Sequence, residues 1–297
     1  MAVYNVIRSS SLQRESKLVA EFYQKERTDT ETELKQISKN RIRDIFTERK
    51  DVIKPSEITE NHRVFDLGDS LNQILKYSTN LESPDYCSVK KRAFEGDFII
   101  SRLRSYLKEM AVVPRSDHIT ALSTEYLVFY SDTNIPAKLL LPFSLTSHVQ
   151  RILKWSQTGN EHPRFDVSAY KNIYIPCVLE DKNLEICSLV DTMISEYEKA
   201  EQIINNAIKI VGEELHIAPP KADDSVFIVS ASETIKARRL DSDFHHPKYT
   251  PIIESILNYK YGTSPLAKIS TQHLSNFNRR NHTESVDYIE IGDIDVY

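Results

Sequence analysis

Residues 182–215 read KNLEICSLVDTMISEYEKAEQIINNAIKIVGEEL. No proline interrupts the stretch, and its one glycine, Gly212, comes near the end. Ile186, Leu189, Met193, Tyr197, Ala200, Ile204, Ala207, Val211 and Leu215 recur close to every 3.5 residues. That interval is slightly shorter than a helical turn. It keeps one apolar stripe turned toward a neighbouring helix, so it predicts a coiled-coil seam. At about 1.5 Å per residue the helix would be on the order of 50 Å long. A helix of this kind draws most of its stability from packing, so the seam needs a partner. The stretch is also acidic: residues 181–215 carry eight carboxylates against three lysines. That imbalance accounts for the whole chain's net charge of −5. The remainder is neutral overall and contains basic stretches. Charge this uneven predicts two surfaces with different partners.

Upstream of the helix the texture changes. Phe98-Ile99-Ile100 and Tyr126-Leu127-Val128-Phe129-Tyr130 are short aromatic and β-branched runs between polar breaks, which predicts strands. Residues 142–155 predict a helix, with Leu145, Val149, Ile152 and Leu153 on one face, Ser144 as its cap and Gly159 as its stop. Asn172-Ile173-Tyr174-Ile175-Pro176 predicts a last strand, closed by proline, before the long helix. Residues 17–49 mix charge with helical signals, and Leu18, Phe22, Leu34, Ile37 and Ile45 are placed on one face. The predicted class is α/β (mixed α+β), followed by a long coiled-coil-type α-helix.

Downstream, Pro219-Pro220 marks a boundary, and residues 222–235 predict a strand and a turn. Two landmarks of the N-terminal part then recur. Phe22, in Val19-Ala20-Glu21-Phe22-Tyr23, returns as Phe244, in Leu240-Asp241-Ser242-Asp243-Phe244, 222 positions later. Gly68-Asp69, after Val64-Phe65, returns as Gly292-Asp293, after Tyr288-Ile289, 224 positions later. A period this long indicates duplicated domains, since solenoid repeats run to about 20–50 residues. The expected organisation is one complete unit over 1–180, a long partner-seeking helix over 181–215, and the beginning of a second, truncated unit over 216–297.

The bulk numbers exclude several classes. With 297 residues, 40% hydrophobic and 27% charged, the chain is globular. Six glycines, with no G-x-G-x-x-G and no G-x-x-x-x-G-K-[ST], argue against a nucleotide-binding enzyme. Cys87, Cys177 and Cys187 are odd in number and form no C-x-x-C pair. They predict a reduced, cytoplasmic setting, with no structural zinc. No apolar run reaches the ~18 residues of a membrane span, and no signal peptide is evident. No metal and no cofactor are expected.

The order of these segments resembles the DNA-specificity (S) subunit of type I restriction–modification systems. Gly96-Asp97-Phe98-Ile99-Ile100-Ser101-Arg102 is similar to that family's Gly-Asp-apolar-apolar-apolar-Ser-Arg strand. Ile173-Tyr174-Ile175-Pro176, leading into the long helix, is similar to the exit from a target recognition domain. The stretches around Phe22 and Phe244, the latter continuing through His246-Pro247-Lys248-Tyr249, resemble domain entrances. Tyr288-Ile289-Glu290-Ile291-Gly292-Asp293-Ile294 is similar to a strand in a domain's opening part. The sequence departs from the family in lacking a glutamine soon after Ile-Pro, and in stopping early in the second domain. The resemblance implies that each recognition domain reads one half of a split double-stranded DNA sequence. It further implies that long helices pair as a spacer, and that methyltransferase (modification) and restriction subunits do the chemistry. No catalytic residue is then expected. The alternative is an assembly or dimerisation remnant that no longer reads DNA.

Lys and Arg suit phosphates, and Arg, Lys, Asn and Gln suit base edges. The candidate DNA-binding residues are Lys90, Lys91, Arg92, Ser101, Arg102, Arg104, Lys108, Arg151, Lys154, Asn160, His162 and Arg164. Within 90–115 each residue taken singly is as well explained by surface solvation or by pairing with Glu95 or Asp97, while the group as a whole favours DNA. Asn160, His162 and Arg164 taken singly read as a plain connecting loop, flanked by Arg151 and Lys154 on the preceding helix as phosphate contacts. Glu125 and Asp117 lack a nearby nucleophile, which favours a structural role, and His245-His246 is expected to be a surface pair. The seam of Ile186, Leu189, Met193, Tyr197, Ala200, Ile204, Ala207 and Val211 predicts a homodimer, or pairing with another S-type chain.

Overall fold

The apolar runs of the N-terminal half lie side by side. In a computed structural model, which describes residues 5–6, 19–76, 88–216 and 227–272, the chain enters through a 3-10 turn, Ala20–Tyr23. Helix α1 (Lys25–Gln36), strand β1 (Ser38–Arg41), the short helix α2 (Ile42–Ile45) and strand β2 (Thr47–Arg49) follow. Strands β3 (Val52–Ile53) and β4 (His62–Phe65) lead to a 3-10 segment, Leu67–Gln73. The central strands are β5 (Lys90–Ala93), β6 (Phe98–Ser101), β7 (Met110–Val112), β8 (Ile119–Leu122) and β9 (Tyr126–Tyr130). Helices α3 (Leu140–Leu145) and α4 (Ser147–Trp155) precede a small hairpin of β10 (Gln157–Thr158) and β11 (Arg164–Phe165). Helix α5 (Val167–Lys171), strand β12 (Tyr174–Pro176) and helix α6 (Cys177–Asp181) run into the long helix α7 (Asn183–Leu215). The chain divides into two compact units, Met1–Glu196 and Tyr197–Tyr297.

Among the described residues the first unit has three layers. One sheet has the order β2-β9-β6-β7, with antiparallel pairings throughout. The other has the order β3-β5-β8-β4, with β4 and β8 parallel. Successive side chains of a strand point to opposite faces. Phe98, Ile100, Met110, Val112, Leu127 and Phe129 therefore pack with Leu140, Ile152, Leu153 and Tyr170 of the helical layer. Ile99, Ala111, Val113, Tyr126 and Val128 pack with Phe65, Ala93 and Leu122 of the second sheet. Both faces of the first sheet are covered, which is why β6 and β9 read as unbroken apolar runs rather than as alternating ones.

Polar ties lock the layers. Arg49 on β2 forks onto the buried Asp97, with its Nε 2.8 Å from Oδ2 and Nη2 3.2 Å from Oδ1. Its guanidinium also lies 4.5 Å from the Phe94 ring centroid and 4.3 Å from that of Tyr130. The hydroxyl of Tyr126 sits 2.6 Å from Ser70 Oγ and joins β9 to the Leu67–Gln73 segment. The β6, β9, last-strand and long-helix expectations correspond to β6, β9, β12 and α7, the last beginning at Asn183 rather than at 182.

Other local expectations are corrected. Residues 142–155 form two helices, not one, broken where Thr146 turns extended. Thr146, not Ser144, caps α4 by accepting from the Val149 amide. Ser144 is fully buried, 2.7 Å from the Tyr170 hydroxyl. Gly159 ends no helix, because α4 stops at Trp155. Its φ of +94° instead makes the turn of the β10–β11 hairpin, and a Cβ there would meet the His162 carbonyl oxygen at 3.2 Å. Residues 19–49 share no single helical face. The chain leaves α1 at Ile37, which is exposed, so that β1 can pair with β12. Leu34 and Ile45 reach the core from different elements. Within 222–235, helix α8 (Ala231–Ala237), capped by Ser230, stands where a turn was expected.

The second unit, over its described residues, adds a 3-10 turn, Pro247–Tyr249, followed by α9 (Thr250–Leu257) and α10 (Leu266–Ile269). Glu214, near the end of α7, accepts a hydrogen bond from the Tyr259 hydroxyl at 2.9 Å and pairs with Lys260 at 3.1 Å. Leu18, Cys87, Pro219-Pro220 and the Tyr288-to-Ile294 motif lie outside the described residues. No helix among the described residues is long and apolar enough to cross a membrane.

Candidate nucleic-acid interface

Strands β6 and β7 form a hairpin whose loop, residues 102–108, is rich in basic side chains. Ser101 and Glu109 close the hairpin, with the Ser101 amide 2.8 Å from the Glu109 carbonyl. Ser101 is buried, and its Oγ donates to the Leu103 carbonyl at 3.1 Å. Arg104 (φ 48°) and Lys108 (φ 55°) both take left-handed backbone conformations, on either side of a 3-10 turn, Ser105–Leu107. Such residues cost on the order of 1–3 kcal/mol each and persist where the surroundings hold them.

The surroundings are the β10–β11 hairpin and the β8–β9 turn. The Arg104 amide donates to the Pro163 carbonyl at 2.8 Å, and the Phe165 amide to the Arg102 carbonyl at 3.1 Å. The Arg102 amide donates to the Glu125 carbonyl at 3.0 Å. Gln157 Nε2 reaches Ser105 Oγ, and Arg104 Nη2 lies 3.4 Å from His162 Nδ1. Two loops distant in sequence thereby become one surface carrying Arg102, Arg104, Lys108, Asn160, His162 and Arg164.

No family model matches the chain, and no curated protein matches it. Solved structures do. One is the HsdS subunit from Thermoanaerobacter tengcongensis, at 16% identity and TM-score 0.38 over 62% of this chain and 50% of that one. Another belongs to work on complex assembly and conformational transition of the type I R-M system, at 18% identity and TM-score 0.38 with the same coverage. The chain spans about half the length of both.

Charge on this surface is organised around Glu125. Arg164 grips its carboxylate through Nε, at 3.1 and 3.0 Å, and through Nη2 at 2.6 Å. The Arg164 hydrogen bond, reinforced by the positive charges of Arg164, Arg102 and Lys91 against some burial, holds the Glu125 pKa below the usual carboxylate range. Glu125 thus positions Arg164, a structural role. The Arg102 side chain is half-buried, and its Nε has no hydrogen-bond partner. Lys91 Nζ donates to the Tyr126 carbonyl at 2.6 Å. Burial pushes its pKa down, with Arg102 and Lys171 adding to this and Glu48 and Glu125 opposing it.

The remaining candidates lie elsewhere. Lys90 is buried on β5, 3.9 Å from Asp66. Arg92, also on β5, lines a separate cavity of about 340 Å³ with Pro114, Asp117 and His118. Arg151 pairs with Glu26 at 3.5 Å, and exposed Lys154 lies over the Trp155 ring at 4.7 Å, both on α4. Gln157 and Tyr106 join the surface without having been singled out from sequence. Their spacing carries no chemical pattern, and only the docking of the two loops brings them there.

Beneath the loop, Glu109 is buried with Oε2 unpartnered. Burial raises its pKa, against a Ser101 hydrogen bond and the charge of Arg104. A carboxyl whose pKa is raised by folding stabilises the fold below its unfolded pKa, and this contribution is lost as pH rises through the folded value. Glu109→Gln is therefore expected to raise the melting temperature at neutral pH, with the gain shrinking toward pH about 4. A lower melting temperature at neutral pH would contradict this.

Proposed function

We propose that this chain is a DNA-recognition component of a type I restriction–modification system, reading sequence while partner subunits methylate and cleave. The observation that carries the reading is the joining of the 102–108 and 157–164 loops into one basic surface, with Arg104 and His162 3.4 Å apart. Arginine forks and a neighbouring Asn160 supply donors suited to phosphates and to purine edges. The Gly-Asp-Phe-Ile-Ile-Ser-Arg run also supports it. This run forms the strand that leads directly into the basic loop, so the segment that resembles the family also positions the candidate contacts. Ser101 serves this surface from below as framework rather than as a contact, and Lys90, buried beside Asp66, is not part of it.

Selection of duplexes from a randomised pool on the full chain tests the reading. Enrichment of a short motif is expected, with binding that falls steeply as salt rises. Retention of no duplex, alone or with a modification subunit, would favour the assembly reading instead.

The long helix supports a partner-pairing role. On α7, Cys187 and Val190 are buried and Ile186 and Ile194 pack against the first unit's core. Leu189 is 66% exposed and Val211 55% exposed, and Met193, Ala200 and Ala207 are also exposed. Ile186 is thus spent on the chain's own core, while most of the seam faces outward. Pairing with a second long helix, in a homodimer or with another S-type chain, would cover it. Light scattering of the full chain at micromolar concentration is expected to give a dimer, and Leu189→Asp with Ile204→Asp a monomer. A parent that stays monomeric would exclude self-pairing.

A further inference from the structure

The tip of the basic loop is apolar. Tyr106 is 62% exposed and Leu107 39% exposed, between Arg104 on one side and Lys108 on the other. Among the described residues the Tyr106 hydroxyl has no hydrogen-bond partner and its ring no aromatic or cationic neighbour. The backbone beneath is nevertheless held from several sides. Leu107 donates to the Arg104 carbonyl at 2.8 Å and Lys108 to the Ser105 carbonyl at 3.0 Å. Ser105 is buried under Gln157, and Gln73 Nε2 reaches the Lys108 carbonyl at 3.4 Å. Left-handed Arg104 and Lys108 force the chain to turn sharply outward and back.

A rigid turn that presents an aromatic ring and a leucine to solvent leaves apolar surface in water. Its flanking cations state what chemistry lies opposite: a polyanion with an apolar interior. We infer that Tyr106 and Leu107 form a wedge that enters a base step of the DNA duplex, while Arg104 and Lys108 neutralise the phosphates on either side. The inference rests on the DNA reading proposed above and adds its mode of contact. Apolar side chains inserted between bases unstack them and kink the duplex, most readily at flexible pyrimidine–purine steps. Specificity would then come partly from deformability and not from hydrogen bonds to base edges alone. Because the turn is already held, little conformational freedom remains to be lost on insertion.

The test uses the full chain and a duplex isolated by selection on the parent, with 2-aminopurine substituted at each position in turn. The parent is expected to raise 2-aminopurine fluorescence at one step, reporting local unstacking. Tyr106→Ala with Leu107→Ala should abolish that rise and weaken binding about tenfold, and Tyr106→Phe should retain both. Both side chains are exposed, and matching circular dichroism of the variants would establish that they fold. If the double variant unstacks and binds like the parent while Arg102→Ala and Arg104→Ala weaken binding, the wedge is wrong and the DNA reading stands. If the parent retains no duplex, both fall together.

Discussion

Replacing Arg102 and Arg104 together with alanine is expected to weaken duplex binding by about a hundredfold at low salt. It should also flatten the salt dependence by roughly the slope of two phosphate contacts. The two arginines hold the 102–108 loop in place through backbone groups: the Arg102 and Arg104 amides donate to Glu125 and Pro163, and the Arg102 carbonyl accepts from Phe165. Alanine keeps all of those bonds, so the loss would report the side chains and not the loop's collapse. Left-handed Arg104 would pass its strain to alanine unchanged, since both carry a Cβ. A paired Arg102→Lys and Arg104→Lys variant should keep most of the salt slope, because the charge remains. It should lose discrimination between sequences, because lysine lacks the planar fork. Filter binding over a salt series, with cognate and scrambled duplexes, reads both quantities. Parent-like affinity in the alanine variant would move the contact surface away from this loop.

Phe129→Ala is expected to destabilise the first unit by about 3–5 kcal/mol, a large share of the total for an ordinary domain. Phe129 lies on β9 between β2 and β6, with no exposed surface. Its ring centroid is 5.6 Å from that of Tyr170, which is itself fully buried and bonded to Ser144. Truncation opens a cavity where the sheet meets the helical layer, and the neighbouring Leu127 and Ile100 are buried too and cannot readily fill it. Phe129→Leu should cost far less, because most of the volume stays. Chemical denaturation followed by circular dichroism measures the difference. A cost below about 1 kcal/mol would show that this interface is not the core of the unit.

Much of the architecture was legible from short-range pattern. The runs at 98–101 and 126–130 are strands because β-branched and aromatic residues suit a pleated, covered surface. The spacing from Ile186 to Val211 marks a helix because apolar groups must share a side. The break between α3 and α4 was not legible. Thr146 and Ser144 are both plausible caps by composition, and burial against Tyr170 decided which one turned inward. Nor was the division of the basic residues. Lys90 and Arg104 carry the same charge in the sequence, yet one is buried beside Asp66 and the other stands at a loop surface.

What the sequence by itself determined is the class of element at each long apolar pattern, the strand that leads into the basic loop, and the acidic character of the long helix. These depend on periods of two and about 3.6 residues and on composition, which are local properties. The tertiary structure alone decided that residues 102–108 and 157–164 share one surface, that Glu125 orients Arg164, and that Tyr106 stands at its tip. Those relations join groups some 40 to 60 positions apart. No local period encodes them, because they arise only when a helical layer and a second sheet close over the two faces of the first sheet.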